Sequence, residues 1–404
     1  MASDPMPPLR ILSVVGARPN FMKIAPFARA LGDFNARHPA QGGASRALFA
    51  HFLVHTGQHY DAKMSNSFFE DLNIPEPDMD LGIGSGTHAE QVGRTMIAFE
   101  RVVREWRPDW VVVVGDVNAT LACAVTAKQE RVRLAHIESG LRSFDLIMPE
   151  EINRMVTDRL ADLHFTTDAT ADGNLQHEGV PADRIRRVGN IMIDTLEANR
   201  DRAAKLETDP FIRRNALNAA ARNAGTGAEI PMTDNTYAVL TLHRPATVDS
   251  PDVLAPLVQF LEAELSRDIP LVWSLHPRTR RQLEAFGLWD AVLACRRIAL
   301  VQPLGYREML RLNLGCRIML TDSGGLQEEC SVLGTPCITL RNNTERPVTL
   351  RSHGGVCELA GNDVSRVRAA FDAMRDEPRR PARPALWDGH TAERIVEAFA
   401  ALAE

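Results

Sequence analysis

Polar side chains suited to chemistry follow several short apolar runs, at points where buried strands are expected to end. In the first half of the chain these side chains include Arg18 and Lys23, then Asp116, then Glu138 and Glu150. Functional sites in open α/β sheets form at the carboxyl ends of strands. Two cations beside a strand-to-helix turn at 16–20 suit a phosphate, and carboxylates at neighbouring strand ends suit proton transfer.

The three carboxylates differ in how well packing alone explains them. Asp116 follows an apolar strand and opens a helix, so it can serve simply as a helix cap. Glu150 follows Pro149, and acids at a helix start stabilise any helix. Glu138 ends an apolar strand, where a buried charge is costly unless a partner or a substrate meets it. A structural role therefore stays open for Asp116 and Glu150, whereas packing does not explain Glu138.

Two strands of the second half end in histidine, at His243 and His276. A histidine beside Arg244 is neutral or partly protonated near pH 7, so it can donate to a phosphate or move a proton. We expect the active role for His243. We expect His276 to act mainly in its own turn and only secondarily in substrate binding.

The strongest nucleotide signal begins at Ser323. Gly324 and Gly325 let the N-terminus of a helix approach a diphosphate closely, and Ser323 adds a hydroxyl donor. Glu329 lies further along the same helix, where it can accept hydrogen bonds from ribose hydroxyls, and Arg346 can neutralise pyrophosphate charge. These residues predict a nucleotide site in the second half of the chain.

No metal or cofactor is predicted. The glycines at 82–86 lack the full G-x-G-x-x-G spacing, and the chain contains no P-loop, zinc motif or nucleophile elbow. The six cysteines form no C-x-x-C pair, so free thiols are expected. A net charge of −6 argues against nucleic-acid or membrane-surface binding. The predicted partner is therefore a small molecule.

The elements that must position these residues alternate between short apolar runs and longer helical patterns. This alternation predicts an α/β fold of βαβ units with parallel sheets. The predicted strands are 11–15, 51–55, 110–115, 134–138 and 163–167, then 237–242, 271–275, 298–301, 318–321 and 337–340.

The length of 404 residues suggests two domains. We place their boundary near Gly189, with an N-terminal domain at 1–189 and a C-terminal domain at 190–384. Residues 189–235 carry no strand pattern, and a helical or loose insertion is expected after the boundary. The N-terminus lacks the pattern of a signal peptide, and no apolar stretch approaches the ~20 residues of a membrane span, so a cytoplasmic location is expected.

Taken together, the motifs resemble the non-hydrolysing UDP-N-acetylglucosamine 2-epimerases. The resemblance runs in collinear order over about residues 10–402 and leaves unmatched mainly the insertion near 205–235. The segments that carry it are GARPN at 16–20, HTGQHYD at 55–61, GD at 115–116, HIESGLR at 136–142, PEEINR at 149–154, SGGLQEE at 323–329, TERP at 344–347 and WDG at 387–389.

This resemblance implies a glycosyltransferase-B-like fold of two Rossmann-like domains with the active site in the cleft between them. It also implies a homodimer and a final helix, within 385–404, that packs back on the first domain. By position it implies that Asp116, Glu138, Glu150 and His243 line the sugar and the scissile bond. The residues that it implies for UDP are Arg18, Ser323, Gly324, Gly325, Glu329 and Arg346.

One departure from the family follows His243. The family usually continues His-Arg-x-Glu-Asn, whereas this chain has Ala246 and Thr247 in place of the acid and the amide. The expected function is the conversion of UDP-N-acetylglucosamine to its C2 epimer UDP-N-acetylmannosamine, which supplies cell-surface polysaccharide. The alternatives are C2 epimerisation of a UDP-2,3-diacetamido-uronate, a sugar-transferring or hydrolysing relative, and a nucleotide-sugar-binding protein without activity.

Overall fold

The structure is a computed structural model that describes residues 7–16, 18–38, 48–57, 76–225 and 230–402. The side chains of Arg18 and Pro19 lie outside the described part, as does the GARPN residue Ala17. The chain divides into two compact units, residues 1–195 with 384–404, and residues 196–383. Each unit is built on one parallel sheet.

The sheet of the first unit has the strand order β3-β2-β1-β4-β5-β6-β7, and all its neighbouring strands pair in parallel. The order reverses between β1 and β4, which makes their carboxyl ends the topological switch point where ligands bind in such sheets. The strands are β1 Leu9–Val15, β2 Phe49–His55, β3 Met79–Asp80, β4 Trp110–Val114, β5 Arg133–Ser139, β6 Leu163–Thr166 and β7 Ile185–Arg187.

The helices of this unit pack against the sheet through apolar faces. The helix at 88–106 begins with a capping box between Thr87 and Glu90, and the helix at 169–177 is capped by Asp168. The helix bounds are Arg18–Arg37, His88–Trp106, Asn118–Gln129, Pro149–Leu160, Ala169–His177, the 3₁₀ turn Ala182–Arg184, Ile191–Ala204, which spans the boundary at 195–196, and Thr391–Ala400.

The last helix belongs to the core of the first unit. The ring of Phe399 is fully buried and lies 5.5 Å from Trp110, 5.6 Å from Phe165 and 6.1 Å from Phe27, measured between ring centroids. The Asp194 carboxylate accepts hydrogen bonds from the backbone N–H groups of residues 391 and 392. The C-terminal residues therefore complete a core that is otherwise built from the first half of the chain.

The sheet of the second unit is also fully parallel, and its strand order is β10-β9-β8-β11-β12-β13. Its order reverses between β8 and β11. The strands are β8 Ala238–Thr241, β9 Leu271–Ser274, β10 Ile298–Val301, β11 Ile318–Thr321, β12 Cys337–Thr339 and β13 Cys357–Leu359.

The helices of the second unit follow its strands. Their bounds are Thr208–Arg214, Ala219–Arg222, Pro245–Val248, Pro251–Phe260, the π turn Leu261–Leu265, Ser266–Asp268, Pro277–Ala285, Trp289–Ala294, Tyr306–Gly315, Gly324–Leu333, the 3₁₀ turns Pro347–Thr349 and Arg351–His353, and Val364–Met374. In the described part of the chain, no helix combines the length and the apolar composition needed to cross a bilayer.

All ten predicted strands are present, with ends shifted by at most two residues. The prediction missed β3, β7 and β13, which are short strands toward the sheet edges, where an apolar run is not required. The region at 205–235 contains the short helices Thr208–Arg214 and Ala219–Arg222, and its other described residues form turns and irregular structure. Phe211 and Ile212 are buried in the core of the second unit. The predicted α/β class with two parallel sheets is confirmed.

Candidate active site

Glu138 occupies the most unusual position in the first unit. Its φ of 68° is left-handed, and the pairing of β5 with β6 shifts register around it. Its side chain is buried, Oε2 is paired with the Lys23 ammonium group, and Oε1 has no hydrogen-bond partner among the described residues. A strained backbone costs about 1–3 kcal/mol and marks functional sites, so this carboxylate suits proton transfer better than packing.

Lys23 lies against Glu138 and the turn after β4. A Cβ atom on Gly115 would lie 3.2 Å from Lys23 Nζ and 3.4 Å from Glu138 Oε2, and Gly115 itself has a φ of 68°. Glycine is therefore required for this close approach. The sequence placed Lys23 near a phosphate; in the structure its partner is a carboxylate, and contact with substrate stays a prediction.

Asp116 lies at the switch point and is held by a neighbouring helix. Its Oδ2 accepts a hydrogen bond from Arg154 Nη2 at 2.6 Å, and its carbonyl accepts one from Asn153 Nδ2 at 2.8 Å. The N-cap position of the following helix belongs to Val117, which provides no side-chain cap. The helix Pro149–Leu160 therefore fixes where the Asp116 carboxylate lies.

Two adjacent acids begin that helix, and the structure separates them. Glu151 is fully buried, accepts hydrogen bonds from the backbone N–H groups of Ser143 and Phe144, and pairs with Arg154. Glu150 is only partly buried. Glu151 therefore has a structural role, because it holds the loop at 143–144 and Arg154 in place. The catalytic role of Glu150 stays a prediction.

A buried charged network supports the turns on either side of Glu138, and the sequence analysis missed it. Asp158 accepts hydrogen bonds from His136 Nδ1 at 2.6 Å, Arg142 Nη1 at 2.7 Å and the Gly140 N–H at 3.1 Å. Burial alone would raise the pKa of Asp158, but His136, Arg142 and a serine hydroxyl hold it well below its usual range. The only sequence signal was an acid on the buried face of the helix Pro149–Leu160.

His136 links this network to the turn after β4. Its Nε2 lies 2.8 Å from the carbonyl oxygen of Gly115, and its Nδ1 faces the Asp158 carboxylate. Both partners are acceptors, so both ring nitrogens carry a hydrogen and the ring is an imidazolium. The cation is matched by the Asp158 charge, which is the condition for burying either one.

His164 gives the first testable prediction. Its Nδ1 lies 2.8 Å from the Ser139 hydroxyl. Burial, helped by the charge of His136 and opposed by that of Asp158, lowers the pKa of His164 to about 4 from its ordinary value of 6.5. Between those two pH values the unfolded chain binds more protons than the folded chain, so stability falls as the pH falls.

We expect the contribution of His164 to be fully present above pH 6.5 and to decrease by about 3 kcal/mol by pH 4. The measurement is the free energy of unfolding in urea from pH 7 down to pH 4, for the natural protein and for His164→Asn. The variant should lose less stability over this range. Equal losses in the two proteins would contradict the assignment.

The switch point of the second unit holds a histidine–aspartate pair. Asp322, after β11, is buried; its Oδ2 accepts hydrogen bonds from the backbone N–H groups of His243 and Arg244, and its Oδ1 lies 2.8 Å from His243 Nδ1. Burial would raise the pKa of Asp322, but the contacts with His243 and Arg244 hold it below its usual value. Nδ1 of His243 therefore carries a hydrogen, and Nε2 is the atom left for proton exchange.

His276 has the structural role expected for it. Its Nδ1 accepts a hydrogen bond from the backbone N–H of Arg278 and so caps the helix Pro277–Ala285. Its ring centroid lies 5.7 Å from that of His243, and burial together with the nearby His243 lowers the pKa of His276. Its contact with a substrate stays a prediction.

The helix Gly324–Leu333 begins as the sequence predicted. Ser323 is its N-cap but forms no side-chain cap, so the first-turn N–H groups are not blocked by that hydroxyl. A Cβ atom on Gly324 would lie 2.8 Å from Nη1 of Arg346. Arg346 itself is buried and ion-paired with Glu328 and Glu345. Its charge is thus partly balanced within the chain.

Glu329 is buried on the same helix. Burial raises the pKa of Glu329 to about 7, although Tyr306 and Asn313 counteract the rise, and its Oε2 has no hydrogen-bond partner among the described residues. A buried carboxyl oxygen that lacks a partner is costly. The buried position of Glu329 is consistent with a hydrogen bond from a ligand hydroxyl to Oε2. Its contact with the ribose stays a prediction.

The two departures after His243 lie in the short helix Pro245–Val248. Thr247 is buried, with its hydroxyl 3.4 Å from the carbonyl of Leu340, and the exposed Ala246 accepts a hydrogen bond from Asn362 through its carbonyl. Neither Ala246 nor Thr247 disturbs the contacts between the Asp322 carboxylate and His243. Among the described residues, no group of three or more histidine, cysteine or acidic side chains is arranged to hold a metal ion.

A sequence model of a known family, Epimerase_2, described as UDP-N-acetylglucosamine 2-epimerase, matches residues 44–400. The chain belongs to the UDP-N-acetylglucosamine 2-epimerase family. The predicted resemblance and the prediction that the chain is an enzyme of this epimerase family are confirmed.

Two similar members of this epimerase family match most of the chain. The UDP-N-acetylglucosamine 2-epimerase of Methanocaldococcus jannaschii is 37% identical over 389 residues, 96% of this chain and 98% of its own length. The UDP-2,3-diacetamido-2,3-dideoxy-D-glucuronate 2-epimerase of Pseudomonas aeruginosa is also 37% identical, over 339 residues, 83% of this chain and 84% of its own length. The percentage of identical residues therefore does not distinguish between these two relatives.

The crystal structure of the M. jannaschii UDP-GlcNAc 2-epimerase in complex with UDP-GlcNAc and UDP superposes on this chain with a TM-score of 0.83. The sequence identity is 36%, and the match covers 97% of this chain and 100% of the other. The predicted glycosyltransferase-B-like class, with two Rossmann-like parallel sheets, is confirmed by this similarity and by the strand orders.

Proposed function

We propose that this protein interconverts UDP-N-acetylglucosamine and UDP-N-acetylmannosamine. The observation that carries the proposal is the strained, buried Glu138 carboxylate near the carboxyl end of β5, next to the switch point of the first sheet. The histidine–aspartate pair and the helix N-terminus at the switch point of the second sheet suit a nucleoside diphosphate. The M. jannaschii relative, whose crystal structure holds UDP-GlcNAc and UDP, supports the choice of substrate. We propose that the chain has an N-terminal domain at 1–189 and a C-terminal domain at 190–384, each of which contributes residues to the reaction.

The chemistry follows from the position of the reacting carbon. The C2 hydrogen of an N-acetylhexosamine is not adjacent to a carbonyl group, so direct deprotonation is prohibitive. Elimination avoids this difficulty: a base removes the C2 proton, a C1–C2 double bond forms, and the C1–O bond breaks with its electron pair leaving on UDP. UDP then adds back to C1 of the 2-acetamidoglucal while the opposite face of C2 receives a proton. Both steps keep the oxidation state unchanged.

The residues can be assigned to the needs of this reaction. Glu138, Asp116 and Glu150 exchange protons and stabilise positive charge at C1, because two acid–base groups must act on opposite faces of C2. Nε2 of His243 donates to the departing diphosphate. The residues proposed to hold UDP and its phosphates are Arg18, Lys23, His276, Ser323, Gly324, Gly325, Glu329 and Arg346.

Isotope exchange tests this mechanism. When the reaction runs in D₂O, we expect deuterium at C2 of both sugar epimers, because the proton removed by the base is exchanged with solvent before C2 is protonated again. Proton NMR of the C2 signals is the measurement. Epimer formation without deuterium in either sugar would exclude elimination. A reaction with heat-inactivated protein is the control for spontaneous exchange.

A second substrate is favoured by two observations. The Pseudomonas relative, a diacetamido-glucuronate epimerase, has the same 37% identity to this chain as the M. jannaschii enzyme, although over a shorter match, and Ala246 and Thr247 depart from the usual family pattern. Incubation with each UDP-sugar, followed by NMR of the anomeric protons, decides between them. Release of free sugar would instead indicate a hydrolytic relative, and UDP binding in a calorimeter without any epimer would indicate a binding protein.

The setting of the reaction is part of the proposal. We propose that the product supplies cell-surface polysaccharide, that the protein acts in the cytoplasm, and that it functions as a homodimer. The family membership supports the first statement, since an N-acetylated UDP-sugar is a precursor for such polymers.

A further inference from the structure

Two neighbouring turns of the first unit carry Asp116 and Glu138, and the backbone ladder between their strands ends before it reaches either residue. The pairing of β4 with β5 ends at Val114 and Ile137, and one further bond joins the Gly115 N–H to the Ile137 carbonyl. Beyond that bond the first segment continues to Asp116 and the second to Glu138. Something other than the ladder must therefore fix one turn relative to the other.

A buried side chain continues the connection past the end of the ladder. His136 lies on β5; its Nε2 lies 2.8 Å from the carbonyl oxygen of Gly115, and its Nδ1 lies 2.6 Å from Oδ1 of Asp158. The ring is fully buried, and both of its partners are acceptors. The ring cannot turn without losing one of these bonds. His136 therefore ties the backbone of the first turn to the Asp158 carboxylate.

Asp158 holds the second turn with its other bonds. The Ser139 hydroxyl donates to Oδ1, and the Gly140 N–H donates to Oδ2 at 3.1 Å. These two residues directly follow Glu138, whose φ of 68° is left-handed. One carboxylate thus fixes the second turn directly and the first turn through His136.

The helix Pro149–Leu160 brings these contacts into one frame. It carries Asp158, and one turn earlier it carries Arg154, whose Nη2 donates to Asp116 Oδ2 at 2.6 Å. Both side chains are buried, and residues four apart lie on the same face of a helix. The carboxylate of Asp116 and the backbone around Glu138 are therefore held from one helix face.

The charges of this network are better suited to fixing geometry than to adding stability. His136 is 0% exposed and Asp158 is 1% exposed. A buried ion pair often contributes no more to stability than apolar residues of the same volume. A fully hydrogen-bonded network does restrict geometry, because every group must keep its partners. Asp158 has four such partners, namely His136, Ser139, Gly140 and Arg142.

We propose that His136, oriented by Asp158, is a positioning residue for the epimerisation: it keeps the turn of Asp116 at a fixed place relative to the turn of Glu138. Acid–base groups that act on opposite faces of C2 must keep their separation, since a displacement of about 1 Å costs on the order of 10²-fold in rate. Neither His136 nor Asp158 is assigned a contact with the substrate. This role rests on the proposed epimerase function.

Two substitutions of His136 separate its two contacts. Gln can place an amide N–H near the position of Nε2 and keep the bond to Gly115, whereas Asn can place one near Nδ1 and keep only the bond to Asp158. Both remove the same ring and the same positive charge. We expect His136→Asn to lower kcat by roughly 10²-fold and His136→Gln to lower it about tenfold less. The Kd for UDP, measured by calorimetry, should be unchanged in both.

The matched control is Asp162→Asn, at the other end of β5. Asp162 Oδ2 accepts hydrogen bonds from the Leu134 N–H at 2.8 Å and from Lys128 Nζ at 2.7 Å. It is thus an ion-paired aspartate that supports the same strand away from the two turns. Asp162→Asn should lower the free energy of unfolding in urea and leave kcat unchanged. A decrease in kcat as large as that of His136→Asn would show that general loosening of the strand explains the effect, and would overturn the inference.

Deuterium incorporation gives a measure that does not depend on the amount of folded protein. In D₂O each face of C2 exchanges through its own acid–base group, so a displaced turn affects the two faces unequally. We expect His136→Asn to change the ratio of deuterium in recovered substrate to deuterium in the product epimer. Asp162→Asn should leave this ratio as it is in the natural protein, because lost folding lowers both signals in proportion.

A milder variant keeps the test decisive if circular dichroism shows that the His136 variants are unfolded. Ser139→Ala removes one bond to Asp158 and no charge, and it should change the same deuterium ratio. Equal kcat values for His136→Asn and His136→Gln, or an unchanged ratio in Ser139→Ala where those variants do not fold, overturn the positioning role while the natural protein is an active epimerase. A natural protein that forms no epimer from either UDP-sugar overturns the proposed function, and the positioning role with it.

Discussion

Replacing Glu138 by Gln should lower kcat by about 10²–10⁴-fold, the usual scale for losing a general acid–base group. Gln keeps the shape of the side chain but cannot accept the C2 proton. Affinity for UDP, measured by calorimetry, should change little, because the residues proposed for the nucleotide are mostly in the second unit. Turnover close to that of the natural protein would remove Glu138 from the mechanism.

This variant has an expected effect on stability, for which a second variant is the control. Glu138→Gln leaves the buried Lys23 ammonium group without its counter-charge, and breaking a buried pair costs about 3–5 kcal/mol. The double variant Lys23→Met/Glu138→Gln removes both charges and should recover most of the free energy of unfolding. It should not recover turnover. Recovery of both would show that the effect of the single variant was one of stability.

The second large effect is expected at the histidine–aspartate pair of the second unit. His243→Ala should lower kcat by about 10²–10³-fold, because Nε2 no longer donates to the departing diphosphate. Asp322→Asn should lower kcat on a similar scale, since an amide cannot hold the ring and the two backbone N–H groups as the carboxylate does. The double variant should be no slower than the slower single variant, because the two residues act as a unit.

The control for this cycle is Asp249→Asn, which removes an exposed ion pair with Arg278 in the same unit. Exposed pairs contribute about 0–1 kcal/mol, so turnover and stability should stay close to those of the natural protein. If the decreases in kcat caused by His243→Ala and Asp322→Asn multiply in the double variant, the two residues do not act together. Such a result would assign independent roles to the two residues.

The sequence predicted the central strands well because buried parallel strands need near-continuous apolar runs. The edge strands β3 and β7 were missed because they are short and because an edge strand does not need an apolar run. Strand β7, for example, contains the exposed residues Arg186 and Arg187. The ends of the predicted strands also indicated where polar side chains cluster. Both predictions succeeded because an apolar run can be recognised from neighbouring residues in the sequence, without knowledge of the fold.

What the sequence could not predict is which polar groups pair. Lys23 and Glu138 lie 115 residues apart in the chain, and their pairing depends on the β1–β4–β5 order. The separation of Glu150 from Glu151 depends on the loop at 143–144, which only the folded chain brings into reach. Asp158 and His136 stabilise each other as buried charges, and neither residue alone indicates that role.

The position of Phe399 determines when the core of the first unit can be completed during synthesis. The ribosome makes the residues of the first sheet first, yet the core around Phe27, Trp110 and Phe165 receives the ring of Phe399 only after the whole second unit has been made. Until then the nascent first unit exposes an apolar recess on its surface. Deletion of the helix Thr391–Ala400 would therefore leave this recess open while the strands of both sheets remain in the sequence.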